Sequence, residues 1–176
     1  FNNTVAQLNP NAVIFSDVGP GCRWVGNERG YADETNWSPI TIANGARSTD
    51  KAPCGMQNGA AWIPAEVDVS IRPGWFWHAN EHPKSVEELM EIYFNSVGRN
   101  GLLLLNVPPD ARGLIPAEDS LRLVEFRAER DRIFAHDLAQ YANVRAAHLR
   151  GKRYSAQQLL DTAYHTYWAS NGDGND

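Results

Sequence analysis

Lys84-Ser85-Val86-Glu87-Glu88-Leu89-Met90-Glu91-Ile92-Tyr93-Phe94-Asn95-Ser96-Val97-Gly98-Arg99-Asn100-Gly101-Leu102-Leu103-Leu104-Leu105-Asn106-Val107 holds two elements of different kind in succession. Ser85 and Glu88 have capping-box spacing, and Val86, Leu89, Met90, Tyr93 and Val97 recur at helical intervals. A helix with those residues on one face is predicted, and Asn100-Gly101 stops it. Leu102–Val107 then runs apolar without alternation to Pro108-Pro109, which predicts a strand covered on both faces. A helix feeding such a strand is the unit of a parallel α/β sheet.

The flanking sequence extends that order. Upstream, Thr4–Leu8 reads as the tail of a helix and Ala12–Ser16 as a short buried strand. Glycine-rich loop is predicted from Asp17 to Gly30, and polar loop from there to about Ala60. Trp62 opens a second strand region centred on Glu66–Ile71, which Arg72-Pro73-Gly74 ends. Downstream, a long helix is predicted from about Pro116 to Phe134, with proline in the first turn, where its missing N–H costs nothing. After Ala135 the helical signal weakens, and the tail from Tyr164 to Asp176 has no core of its own. In parallel α/β folds, functional groups gather at the strand C-termini. Here those are the loops after Ser16, Ile71 and Val107.

Composition narrows the partners. The 176 residues carry 16 Lys and Arg against 21 Asp and Glu, a formal charge of −5. Nucleic acid and an anionic membrane face are therefore not expected as partners, since both require clustered basic residues. No apolar run approaches the ~20 residues of a membrane span, and no signal-peptide pattern opens the chain. Cys22 and Cys54 are too few for a disulfide framework, and either a bridge or two free thiols fits them. His78 and His82 lack further ligands at metal-binding spacing, so no metal and no cofactor is expected. Neither a Gly-x-Ser-x-Gly turn nor a phosphate-binding Gly-Lys-Ser/Thr ending occurs. Asn2 and Asn36 match the short glycosylation acceptor pattern.

Three carboxylates draw attention. Glu28 follows a short apolar strand among glycines, flanked by Trp24 and Tyr31, where a sugar-handling enzyme would keep a general acid. Glu66 and Asp68 lie two apart on a strand, hence on one face with Cα atoms ~7 Å apart. Carboxylate pairs separated by roughly 5–9.5 Å perform glycoside hydrolysis, but a polar strand end bonded to its neighbours is the stronger reading of this pair. Trp75-Phe76-Trp77 puts three aromatics in a turn, able to stack on a sugar or to cap the rim.

Longer strings go further. Phe15-Ser16-Asp17, Arg23-Trp24-Val25-Gly26-Asn27-Glu28 and Glu34-Thr35-Asn36-Trp37 occur in this order, followed by Trp62–Phe76, Ser96–Gly101 and Leu103–Pro109. Together they closely resemble the α-L-fucosidases of glycoside hydrolase family 29, in the subgroup acting on α-1,3 and α-1,4 linked fucose. The resemblance is dense from about Asn9 to Gly113. It implies the C-terminal half of a (β/α)8-like barrel over residues 1–148, then a linker and the start of a galactose-binding-like β-sandwich over 149–176. It implies a retaining exo-α-L-fucosidase in which an aspartate attacks the anomeric carbon and a glutamate protonates the departing oxygen. By the same resemblance Glu28 is the acid/base, Arg23 and Trp24 lie near the fucose, and Trp75 packs on its apolar side. Glu66 either binds the aglycone or supports the acid/base. The nucleophile aspartate is expected from the N-terminal half of the same enzyme, and fucosylated oligosaccharides or glycoconjugates are the expected substrates. An extracellular, periplasmic or lysosomal setting goes with them. A catalytically inactive fucose-binding or structural barrel fragment is the alternative, and a glycosidase using Glu66 and Asp68 as its pair stands third.

Overall fold

The computed structural model describes residues 1–16, 19–41 and 54–171. Asp17 and the middle of the predicted polar loop lie outside the described residues. Two compact units are present, 1–130 and 131–176, and the division expected after residue 148 falls inside the second.

The first unit opens with helix α1 (Asn2–Leu8), followed by strands β1 (Phe15–Ser16) and β2 (Cys22–Trp24). A small antiparallel pair, β3 (Pro39–Ile40) and β4 (Ala61–Trp62), precedes β5 (Ala65–Ser70). Helix α2 (Val86–Ser96), strand β6 (Gly101–Asn106) and all but the last residues of helix α3 (Ala117–Ile133) complete it. The main sheet has the order β1-β2-β5-β6 and every neighbouring pair is parallel. The predicted α/β class holds. β2 lies inside what reads as glycine-rich loop, and the first strand is reduced to its last two residues.

Within residues 84–107 the predicted helix and strand both form, as α2 and β6. Ser85 accepts from the Glu88 N–H at 3.2 Å while the Glu88 carboxylate accepts from the Ser85 N–H at 2.7 Å, which satisfies free donors of the first turn. The buried side is turned relative to the predicted one. Leu89, Met90, Ile92 and Ser96 are buried, whereas Val97 is exposed. Asn100 stops the element in the left-handed region, φ 61°.

Register sorts the sheet into two unlike faces. Phe15 pairs with Cys22, Trp24 with Glu66, and Glu66, Asp68 and Ser70 with Leu102, Leu104 and Asn106. Paired residues of parallel strands share a side, so these residues all point one way. Ala65, Val67, Val69, Leu103 and Leu105 point the other way. Val67 and Val69 are buried there, in a core with Val25, Ala32, Ile71, Leu89 and Ile92. On the first face Phe15, Leu102 and Leu104 are 46%, 57% and 53% exposed. The expectation of a sheet covered on both faces is thus met on one face only among the described residues. Four leucines in a row cannot say which of their sides a helix will cover.

The second unit consists of short 3₁₀ turns at 138–141, 152–154 and 156–159 joined by irregular chain. Tyr154 and Tyr167 pack with ring centroids 5.2 Å apart, and the Arg150 guanidinium lies 5.5 Å from the Tyr154 ring centre. Cys22 and Cys54 are both free, which decides between the two sequence readings. The Cys54 thiol donates to Asp33 at 2.9 Å. The Asn36 side-chain N–H groups donate to the carbonyls of Arg99 and Asn100 at 2.9 and 3.1 Å, so that nitrogen serves packing rather than glycan attachment.

Candidate active site

Glu28 sits in a loop fastened at both ends. On entry, the Val25 N–H donates to the Glu66 carbonyl at 2.9 Å, extending the β2–β5 ladder by one bond. Asn27 then organises the turn, accepting from the Arg29 N–H at 3.0 Å and donating to the Tyr31 carbonyl at 2.9 Å. Gly30 closes it with φ +83°, and a Cβ there would lie 2.9 Å from Ile92 and 3.1 Å from Val69. Only glycine combines that dihedral with so close an approach to the seam between α2 and the sheet. On exit, the Ala32 N–H donates to the Asn95 carbonyl at 2.8 Å and the Tyr31 hydroxyl to Glu91 at 2.7 Å.

The loop brings Glu28 to an open pocket of about 270 Å³ lined by Phe15, Ser16, Trp24, Glu28 and Asp68. Phe15, Ser16 and Trp24 end their strands, so the pocket lies on the C-terminal side of the sheet, where a parallel α/β fold gathers its chemistry. Two indoles are tied to two carboxylates around it. The Trp24 N–H donates to Asp68 Oδ1 at 2.8 Å, and the Trp75 N–H donates to Glu28 Oε2 at 2.9 Å. Trp75 is held in turn by Asn106, whose amide donates to the Trp75 carbonyl and to Ser70 Oγ, both at 3.0 Å.

The chain around Trp75 is built on one buried cation. Arg72 donates from Nε to Asp119 Oδ2 at 2.9 Å and from Nη2 to Asp119 Oδ1 at 2.7 Å, and it also bonds the Glu81 carbonyl. Lys84 closes the loop with its N–H on the Ile71 carbonyl at 2.7 Å and its Nζ on the Ser70 carbonyl at 2.7 Å. Asp119 lies in the first turn of α3, so that helix is tethered to the loop that carries Trp75.

Glu66 departs from the expected hydrogen-bonded strand end. Its side chain is buried, and neither carboxylate oxygen has a hydrogen-bond partner. Burial first, and the charge of Asp68 second, push its pKa up to about 7. The folded state therefore holds this proton more tightly than the unfolded chain. Its stabilising contribution is full below the unfolded value near 4.5 and is lost as pH rises through about 7. Glu66→Gln removes the titration. Relative to the parent, the variant is expected to gain roughly 1–3 kcal/mol between pH 5 and pH 8. Urea unfolding midpoints at several pH values measure this, and a difference that does not change with pH would contradict it.

The predicted residues are not all brought together. Trp24, Trp75 and Glu28 converge. Arg23 does not: it points from the opposite side of β2, is fully buried, and donates to the Ile63 carbonyl, to Asn36 Oδ1 at 3.1 Å and to the Trp37 carbonyl at 2.7 Å. Those bonds make it a brace for the 36–40 segment, with no lining position in the pocket. Glu66 lies beneath the pocket without lining it. Asp68 lines the pocket, and Asn106 holds its rim; both lie in the family strings, but only Asp68, through its two-residue spacing from Glu66, stood out within one. His82 bonds Glu118 at 2.9 Å, and no group of three or more metal-ligating side chains occurs among the described residues.

The sequence profile of the α-L-fucosidase family matches residues 16–128. Alpha-L-fucosidase 1 of Arabidopsis thaliana is 45% identical over 98% of this chain, which covers 35% of that protein. The chain spans about a third of the length of the curated relatives it matches. Among solved structures, that of SpGH29 superposes with a TM-score of 0.87 at 40% identity, covering 98% of this chain and 38% of that one. A family 29 fucosidase of Ruminococcus gnavus, solved in complex with fucose, gives a TM-score of 0.74 at 33% identity over 89% of this chain and 33% of that one. With the match reaching from β1 into α3 and taking in the pocket, the chain belongs to the α-L-fucosidases of glycoside hydrolase family 29.

Proposed function

We propose that this chain is the acid/base-bearing part of a retaining exo-α-L-fucosidase that releases terminal α-1,3 or α-1,4 linked L-fucose from fucosylated glycans. One observation carries the reading: the Glu28 carboxylate lines the pocket at the strand C-termini with one oxygen held by the Trp75 N–H. With Oε2 so engaged, Oε1 is left to carry the proton to the departing glycosidic oxygen and later to take one from water. The exposed edges of Trp24 and Trp75 offer the sugar apolar surface. Glu66, buried below, supports this arrangement from within rather than meeting the aglycone.

The attacking aspartate belongs to an earlier strand of the same enzyme. In this reading the sheet is the C-terminal half of a (β/α)8-like barrel, and the face bearing Phe15, Leu102 and Leu104 turns inward when the barrel closes. Residues 149–176 then begin a β-sandwich. An extracellular, periplasmic or lysosomal setting fits glycan substrates, and no helix among the described residues is long and apolar enough to cross a membrane.

The test is the first-formed anomer. The protein carrying this chain is incubated with Lewis a and Lewis x trisaccharides and with 2′-fucosyllactose, and the reaction is followed by NMR. Initial release of α-L-fucose, faster from the Lewis trisaccharides, is expected. Initial β-L-fucose would exclude double displacement. Fucose binding with no hydrolysis would favour the non-catalytic alternative.

A further inference from the structure

The pocket holds a second carboxylate that the acid/base step does not use. Asp68 lines it beside Glu28 and Trp24. Its Oδ1 accepts the Trp24 N–H at 2.8 Å, and no other hydrogen bond reaches this carboxylate among the described residues. Oδ2 accepts no hydrogen bond among the described residues, and the half-buried side chain lines the pocket wall. A carboxylate has roughly four acceptor positions, and the Trp24 N–H takes one of those on Asp68. Below it on the same strand face, Glu66 is buried with both oxygens unbonded, and burial together with the charge of Asp68 holds a proton there. The two carboxyls are thus placed differently, one enclosed beneath the pocket with a raised pKa, the other on the pocket wall.

A ligand suited to this place needs hydroxyl donors for Asp68 and a C–H surface for the indole, which describes one ring of a sugar. We propose that Asp68 is a sugar-binding residue, accepting a ring-hydroxyl hydrogen bond of the bound fucose through Oδ2 while the Trp24 N–H fixes the orientation of its carboxylate. This inference rests on the fucosidase reading. The competing role is purely internal: Asp68 anchors Trp24 and touches no ligand.

Asp68→Asn separates the two, because its amide oxygen still accepts from Trp24 but the charge is gone. The protein carrying this chain and the variant are titrated calorimetrically with L-fucose and with its 2-, 3- and 4-deoxy analogues. Affinity for L-fucose is expected to fall about 10- to 100-fold in the variant, the scale of a lost charged hydrogen bond. For one of the three analogues the parent-to-variant ratio should shrink to within about twofold, since the hydroxyl that Asp68 would bind is already absent. An undiminished ratio across L-fucose and all three analogues overturns the proposal and leaves Asp68 as an anchor. If Asp68→Asn does not fold, Asp68→Glu keeps the charge but displaces it, and is judged by the same criterion. If the parent binds no L-fucose at all, the fucosidase reading falls first and this inference with it.

Discussion

Glu28→Gln is expected to lower turnover of a Lewis trisaccharide by about 10²- to 10⁴-fold, the range lost with a general acid. An aryl fucoside with an acidic phenol leaving group should lose far less in its first step, because that oxygen departs without a proton. The substitution is close to isosteric, and the glutamine carbonyl can still accept the Trp75 N–H now bonded to Oε2 at 2.9 Å. The fastenings of the loop, at Val25, Asn27 and Ala32, do not involve the Glu28 side chain. In the proposed role, what disappears is the transferable proton alone. The check is a pair of kcat/KM ratios, parent to variant, for the two kinds of substrate. Equal losses on both would mean that Glu28 acts through shape or charge and that the proton comes from elsewhere.

Asp119→Ala is expected to cost about 3–5 kcal/mol of stability, the scale of stranding a buried charge. Arg72 is 2% exposed and Asp119 is fully enclosed, with two short parallel hydrogen bonds between them. Alanine leaves the guanidinium with the His78 and Glu81 carbonyls and with the half-exposed Glu118 carboxylate 3.8 Å away, which does not replace the two short bonds. Because folded domains are stable by only about 5–15 kcal/mol, a large share of the total is at stake. Replacing both partners by apolar residues, Arg72→Met with Asp119→Leu, should be much milder than either single change. Urea unfolding of the three variants decides it. A loss below about 1 kcal/mol in Asp119→Ala would show that water reaches Arg72 and that the pair is no buried bridge.

Legibility followed distance along the chain. The α2–β6 unit could be read because its signals are local: a capping box, helical spacing, a left-handed stop and an apolar run. The three residues of β2 escaped because Cys22-Arg23-Trp24 is too short and too polar to show a period, and its pairing comes from β1 and β5 rather than from itself. That Glu28 would stand beside the strand ends was legible through the string around it. Its partner was not, since Trp75 lies 47 positions away, as Asp68 lies 44 from Trp24. Arg23 shows the opposite failure. A family string located the residue correctly in sequence but said nothing of its side, and alternation along β2 sent its guanidinium into the brace beneath the 36–40 segment. The unpartnered carboxyl of Glu66 was illegible too, because the sequence shows an acid on a strand but not what surrounds it.

The two unlike faces of the sheet place chemistry and cohesion on alternate residues of the same strand. In β5 the order runs Ala65, Glu66, Val67, Asp68, Val69, Ser70, with every second side chain in the packed interior and every other one toward the pocket. Drift in this strand is therefore phase-sensitive. A substitution at Val67 or Val69 touches folding and one at Asp68 touches the pocket, while the buried Glu66 bears on both. A one-residue insertion or deletion shifts the whole strand out of phase, driving two carboxyls into the apolar side and two valines into the pocket at a stroke. Length is thus the hardest property of this strand to vary, harder than any single identity within it.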